Sequence, residues 1–169
     1  MSRDCTVLGV DPGSRCTGYG IVSERSGQAR LLETGTIRPV KDGPLSLRLG
    51  FIFGEISGLL ERFAPDMVAV EDVFFARNSA SALKLGQARG AILAACGMRD
   101  VAVFSYEPTL VKKSLVGTGR AEKDQVAFMV GQILGEKPNW ARDSSDALAV
   151  AICHLNQRRY QQLCRRMPG

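Results

Sequence analysis

The stretch TVLGVDPGSRCTGYG, Thr6 to Gly20, places one acid at the end of an apolar run. Val7, Leu8, Gly9 and Val10 have the continuous apolar character of a buried strand. Asp11 ends it, and Pro12, Gly13, Gly18 and Gly20 follow. A carboxylate at the tip of a buried strand is costly unless a cation meets it.

Outward from Asp11, GYGIVS (Gly18 to Ser23) reads as a second strand and Ala29 to Arg38 as a third. The short turn ERSGQ between them implies an antiparallel meander of three strands. Leu45, Leu49, Ile52, Ile56, Leu59 and Phe63 then recur at spacings of three and four. They predict an amphipathic helix that the APD of Ala64 to Asp66 stops. MVAVE (Met67 to Glu71) reads as a central strand. A helix over about Ser79 to Cys96, a fifth strand over Val101 to Tyr106, and a short helix from Pro108 toward Val116 follow. Past the link GTGRAEK, Val126, Met129, Val130, Ile133 and Leu134 mark another helix. A last helix is expected from about Ser144 to Leu163, with a tail frayed from Arg165. The expected fold is one α/β domain over residues 1–169. It has a five-stranded mixed sheet, three strands antiparallel and two parallel, with helices on both faces.

Four acids stand out against that frame. Asp11 ends the first strand and Glu71 the fourth; if those strands are neighbours, their ends meet. Asp143 and Asp146, three apart at the start of the last helix, share one face and suit the positive end of the helix dipole. Each alone has a plainer reading, as a helix cap or a solvated strand end. Together on one rim they would repel each other and raise their pKa values unless cations sit between them. An oxygen-only set suits Mg²⁺ or Mn²⁺ better than zinc. Two such ions, about 3.5–4 Å apart, activate water and stabilise the leaving oxygen in phosphodiester hydrolysis. Gly18 and Gly20 share a strand face, which would let a phosphate approach beside Asp11 or merely relieve crowding. His154 is 11 residues beyond Asp143, roughly 16 Å of helix, too far to share a metal, and reads as structural. Asp72 should face away from Glu71.

Composition sets the outer limits. The formal net charge of +5 favours a polyanionic partner. One histidine argues against His-rich zinc sites and a Ser-His-Asp triad. Five cysteines with no C-x-x-C pair read as reduced, mostly core residues of a cytoplasmic protein. No apolar run is long enough to span a membrane.

GVDPGSRCTGYG, VEDVFFARNSASALKLGQARG, GTGRAEKDQV and DSSDALAVAICH, in that order from about Val7 to His154, resemble the RuvC family of Holliday junction resolvases. The resemblance implies a ribonuclease-H-like fold and a homodimer. It also implies metal-dependent, symmetric nicking of four-way DNA junctions, with two ions of Mg²⁺ or Mn²⁺ per subunit. By the same resemblance the family's catalytic acids fall on Asp11, Glu71, Asp143 and Asp146, and its junction-centre aromatic on Phe74. Its DNA-binding lysines fall on Lys112 and Lys123, and a branch-migration motor of RuvA and RuvB is the implied partner.

The basic residues point to DNA in their own right. Arg77, Lys84, Lys112, Lys113, Arg120 and Lys123 lie in or beside segments flanking the acids. There they would neutralise backbone phosphates without reading bases. Of Phe74 and Phe75, which follow Glu71, at least one could be exposed to stack on a base.

Three rivals have distinct signatures. An actin-like or sugar-kinase ATPase shares the DPGSRCTGYG pattern but needs two such lobes, and GTGRAEK lacks P-loop spacing. A non-catalytic junction-binding module would not need four acids. Another ribonuclease-H-like nuclease, acting on RNA or hybrids, would not need the Phe74 loop.

Overall fold

The computed structural model describes residues 4–72 and 79–166. Its strands are β1 (Cys5–Asp11), β2 (Thr17–Arg25), β3 (Gln28–Ile37), β4 (Met67–Glu71) and β5 (Ala102–Tyr106). Its helices are α1 (Leu45–Phe63), α2 (Ser79–Gly97), α3 (Pro108–Val116), α4 (Lys123–Leu134) and α5 (Arg142–Arg166). The sheet order is β3-β2-β1-β4-β5. β1, β2 and β3 pair antiparallel, while β4 lies parallel to β1 and β5 parallel to β4. The expected mixed sheet forms, with the first and fourth strands side by side.

Alternation along β1 sorts its side chains into two cores. Leu8 and Val10 pack with Ile52 and Ile56 of α1 and with Ala88 and Ile92 of α2. Val7 points the other way, into a core with Ala69, Val111, Val126 and the α5 residues Leu148, Ile152 and Leu155. The segment Ala147–Leu155 of α5 is buried throughout. α5 is thus a central helix against the sheet, with α3 and α4 against its flanks.

Two boundaries depart from expectation. α4 starts at Lys123 because Glu122 and Gln125 form a reciprocal capping box, the Glu122 N–H donating to Gln125 Oε1 at 2.8 Å. α5 continues to Arg166, beyond the expected end at Leu163 and the expected fraying from Arg165. Its second half is anchored: Asn156 Nδ2 donates to Ser114 Oγ at 3.2 Å, and Arg159 Nε to the buried Glu24 at 2.7 Å.

The glycines of β2 explain how α5 comes so close. A Cβ on Gly18 would stand 1.9 Å from the Asp143 carbonyl oxygen, and one on Gly20 would stand 2.4 Å from Leu148 Cδ2. The space beside Asp11 is filled by α5, so the idea that these glycines admit a phosphate is corrected. They admit the helix that carries Asp143 and Asp146.

Candidate active site

Backbone register brings the first two acids together. Val10 pairs with Val70 in the parallel β1–β4 ladder, so Asp11 and Glu71 are the next residues on adjacent strands. Both alternate onto the α5 face, in step with Val7 and Ala69. Asp11 also pairs with Gly18, against which the first turn of α5 rests. The four predicted acids therefore meet where β1, β4 and α5 converge.

Their electrostatics record the crowding. Asp11 is pushed up to about 8, first by burial, then by the charges of Glu71 and Asp146, a hydrogen bond with Glu71 and the charge of Asp143. Glu71 is also raised by burial, although its bond with Asp11 and the nearby Lys123 and Lys112 oppose this. Burial and the neighbouring charges favour a proton on Asp11, shared with Glu71 through their hydrogen bond. The other two acids have their own partners. Asp143 Oδ2 accepts a hydrogen bond from Cys16 Sγ at 3.0 Å. Asp146 Oδ2 lies 2.9 Å from Lys123 Nζ. That bond raises Lys123, and burial with the Asp143 bond pushes the Cys16 thiol up to about 11.

Beside the acids lies a cleft of about 250 Å³, lined by Glu71, Asp146, Lys112, Lys123 and the apolar Val111 and Val126. Two of the predicted cations, Lys112 and Lys123, thus share a wall with two of the acids. Lys113 and Arg120 are exposed and do not line the cleft. Lys84 lines a separate pocket with several arginines. Phe74, Phe75 and Arg77 lie outside the described residues.

The expected bystanders stay apart. His154 is buried, its Nδ1 2.7 Å from the Tyr106 hydroxyl and its Nε2 2.9 Å from Met67 Sδ. Burial pushes its pKa down to about 4. Asp72 ion-pairs with Arg89 of α2 at 3.4 Å, across the sheet from α5. A larger cavity of about 460 Å³, lined by Asp4, Glu24 and Arg30, sits at the opposite end of β1, away from the acids.

Sequence reasoning missed Cys16. All five cysteines are free, but Cys16 is only partly buried and bonds to one of the four acids. Its place five residues after Asp11, inside the glycine-rich motif, was the available signal.

The antiparallel triple extended by two parallel strands, with a long helix closing on β1, defines a ribonuclease-H-like protein. Its acid cluster, flanked by lysines, is suited to work on a polyanion. The family model described as crossover junction endodeoxyribonuclease RuvC matches residues 7–154, and the chain belongs to that family of nucleases. The crossover junction endodeoxyribonuclease RuvC of Nitratidesulfovibrio vulgaris strain Hildenborough is 55% identical over 163 residues, 96% of this chain and 98% of that protein. The RuvC of Oleidesulfovibrio alaskensis is 56% identical over 162 residues, covering 96% and 97%. Among solved structures, T. thermophilus RuvC in complex with Holliday junction substrate superposes with a TM-score of 0.88. It is 38% identical and covers 93% of this chain and 96% of that one. The yeast mitochondrial Holliday junction resolvase Ydc2, at 15% identity and a TM-score of 0.68, shares the fold.

Proposed function

We propose that this chain resolves four-way DNA junctions by paired, symmetric nicks, with Asp11, Glu71, Asp143 and Asp146 as its metal-holding catalytic carboxylates. The observation that carries this reading is the convergence of four carboxylates where β1, β4 and α5 meet, with Asp11 and Glu71 side by side at adjacent strand ends. Their burial beside two further acids makes full ionisation unfavourable until cations arrive. Among the described residues no three acidic, cysteine or histidine side chains form a ready coordination shell. Each acid is turned toward another partner: Asp11 is engaged with Glu71, Asp143 with Cys16, and Asp146 with Lys123. The donor set still fits, because it is all carboxylate oxygen at one rim, the chemistry of Mg²⁺ or Mn²⁺. Two such ions, when bound, supply an activated water and stabilise the leaving oxygen.

The protein's own groups do the rest. Asp11 and Glu71 would give up a proton to hold cations. Lys123, paired with Asp146 in the metal-free site, would join Lys112 in holding phosphates along the cleft once a cation takes its place. Phe74 remains the proposed stacking residue for an unpaired base at the junction centre. The protein works in the cytoplasm, where its free cysteines stay reduced. No helix among the described residues is long and apolar enough to cross a membrane. Family membership supports the branch-migration motor of RuvA and RuvB as a partner.

The test is incubation of the purified protein with a synthetic mobile four-way junction. With Mg²⁺ or Mn²⁺ the expected products are two symmetric nicks that ligase can reseal. Chelation should abolish them. Cutting that ignores junction structure, or persists in chelator, would refute the reading.

The raised pKa of Asp11 has a consequence for stability. Its folded value, about 8, exceeds the ordinary 3.8. The stability tied to that proton is complete below the unfolded value and is lost as pH rises through about 8. Divalent ions bind the deprotonated site, so the stabilisation they confer should grow over the same window. The Tm of metal-free protein is expected to fall from pH 5 to pH 9, and the Tm gain from Mn²⁺ to rise. A gain independent of pH would contradict the shared proton.

A junction has two equivalent strands to cut, so two sites related by a twofold axis suit it. Outward on α2, a Cβ on Gly86 or Gly90 would meet nothing within 4 Å, Ala94 is exposed, and Leu83 is 63% exposed. The helix turns Ala88, Ile92 and Ala95 inward instead. This smooth outer face is the proposed dimer interface. Sedimentation is expected to show a dimer at micromolar concentration, and Gly90→Arg a monomer that binds junctions weakly. A wild-type monomer with full cutting would rule the interface out.

A further inference from the structure

A second pocket, of about 370 Å³, shares no lining residue with the Lys112–Lys123 cleft and reaches the loop that follows Asp11 through Ser14 and Arg15. Its walls come from four separate places in the chain. Arg15 lies in the β1–β2 loop, Arg38 and Lys41 follow β3, Arg48 is on α1 and Lys84 is on α2. Among the described residues Asp42 is the one carboxylate lining it. Five cations converging on one acid repel one another, a cost that a surface with no polyanionic partner has no reason to bear.

Two features tie this pocket to the site. Arg48 Nη2 donates to the Ser14 carbonyl, which straps the loop after Asp11 to α1. Among the described residues the buried Nε of the same guanidinium has no hydrogen-bond partner. Arg38, held by Thr36 Oγ1 at 3.2 Å, is near enough to Cys16 for its charge to lower that thiol's pKa against the other influences. Cys16 in turn bonds to Asp143. The sheet order sets the direction. The cleft with Lys112 and Lys123 lies on the α5 face toward β4 and β5, whereas in this pocket Arg15, Arg38 and Lys41 come from the β2–β3 side and Arg48 and Lys84 from the helices on the opposite face.

We propose that Arg15, Arg38, Lys41, Arg48 and Lys84 form a second backbone-binding site. It grips DNA phosphates on the side of the scissile phosphate opposite to those held by Lys112 and Lys123. The inference rests on the nuclease reading of the acid cluster and deepens it: the strand is clamped on both sides of the acids. The side chains present no pattern suited to a particular base, so the grip is on phosphates and is indifferent to sequence.

The triple variant Arg15→Gln, Arg38→Gln, Lys41→Gln tests it and leaves the Arg48 strap in place. Binding of the full-length protein to a synthetic four-way junction is measured against salt, in chelator so that nothing is cut. Each phosphate contact contributes about 0.9 to the slope of log affinity on log salt, so the triple variant should lower the slope by about 2–3. Phosphate-ethylation interference should show the triple variant and a Lys112→Gln, Lys123→Gln variant losing contacts on opposite sides of the cut position. An unchanged slope, or loss of the same phosphates by both variants, overturns the inference. If the triple variant does not fold by thermal melting, the three single variants decide: each should lower the slope by about one. Failure of the wild type to cut junctions in Mg²⁺ would instead strike the nuclease reading, whatever the slopes.

Discussion

Asp11→Asn and Asp146→Asn should each lower junction cutting by several orders of magnitude while leaving junction binding intact or tighter. Each change keeps the side chain's size and removes a charge. At Asp11 the amide cannot replace the carboxylate that shares a proton with Glu71. At Asp146 it cannot hold the charge now balanced by Lys123 at 2.9 Å. Loss of a carboxylate weakens the hold on divalent ions but also reduces repulsion of phosphates, so affinity for DNA should not fall. The metal-free Asp11→Asn protein should also show a shallower decline in Tm between pH 5 and pH 9, because the contribution of Asp11 is gone while that of the buried Glu71 remains. Gel-based cleavage and binding on one junction, with melting curves beside them, check all three outcomes.

Gly18→Ala should be nearly as damaging, though it adds a single methyl and touches no carboxylate. The new Cβ would fall 1.9 Å from the Asp143 carbonyl oxygen, and that atom belongs to the backbone, so no side chain can turn aside. The first turn of α5 must move away from β1 and β2, taking Asp143 and Asp146 with it. Overpacking of this kind costs about 1–3 kcal/mol. The loss of cutting should greatly exceed what that instability explains at a temperature where the variant remains folded. Near-normal cutting by folded Gly18→Ala would show that α5 is not held against Asp11 as described.

How far the sequence could be read depended on whether its signals were local. Asp11 was legible because a buried strand and its terminal acid occupy consecutive residues. Glu71 followed once β1 and β4 were paired, and Asp143 and Asp146 followed from helical spacing. Gly18 and Gly20 were read as room for a phosphate because a missing side chain shows a gap without showing what fills it. Their neighbour, α5, lies more than a hundred residues away in the chain. The start of α4 was placed late because Glu122 is not a favoured capping residue and acts only through its exchange with Gln125. Cys16 went unremarked among cysteines read as mostly core, because a thiol's apolar habit is stronger than any sign of the carboxylate it meets. The second basic pocket was legible only at Lys84. Arg15, Arg38 and Arg48 belong to different elements, and their convergence is a property of the fold.

The most direct measurement is anomalous diffraction at the manganese edge from crystals of the protein soaked in Mn²⁺. Two peaks are expected between the carboxylates of Asp11, Glu71, Asp143 and Asp146, with Lys123 withdrawn from Asp146. Peaks elsewhere on the surface with none between these four side chains, or an intact Lys123–Asp146 pair beside an empty cluster at saturating Mn²⁺, would contradict the metal assignment.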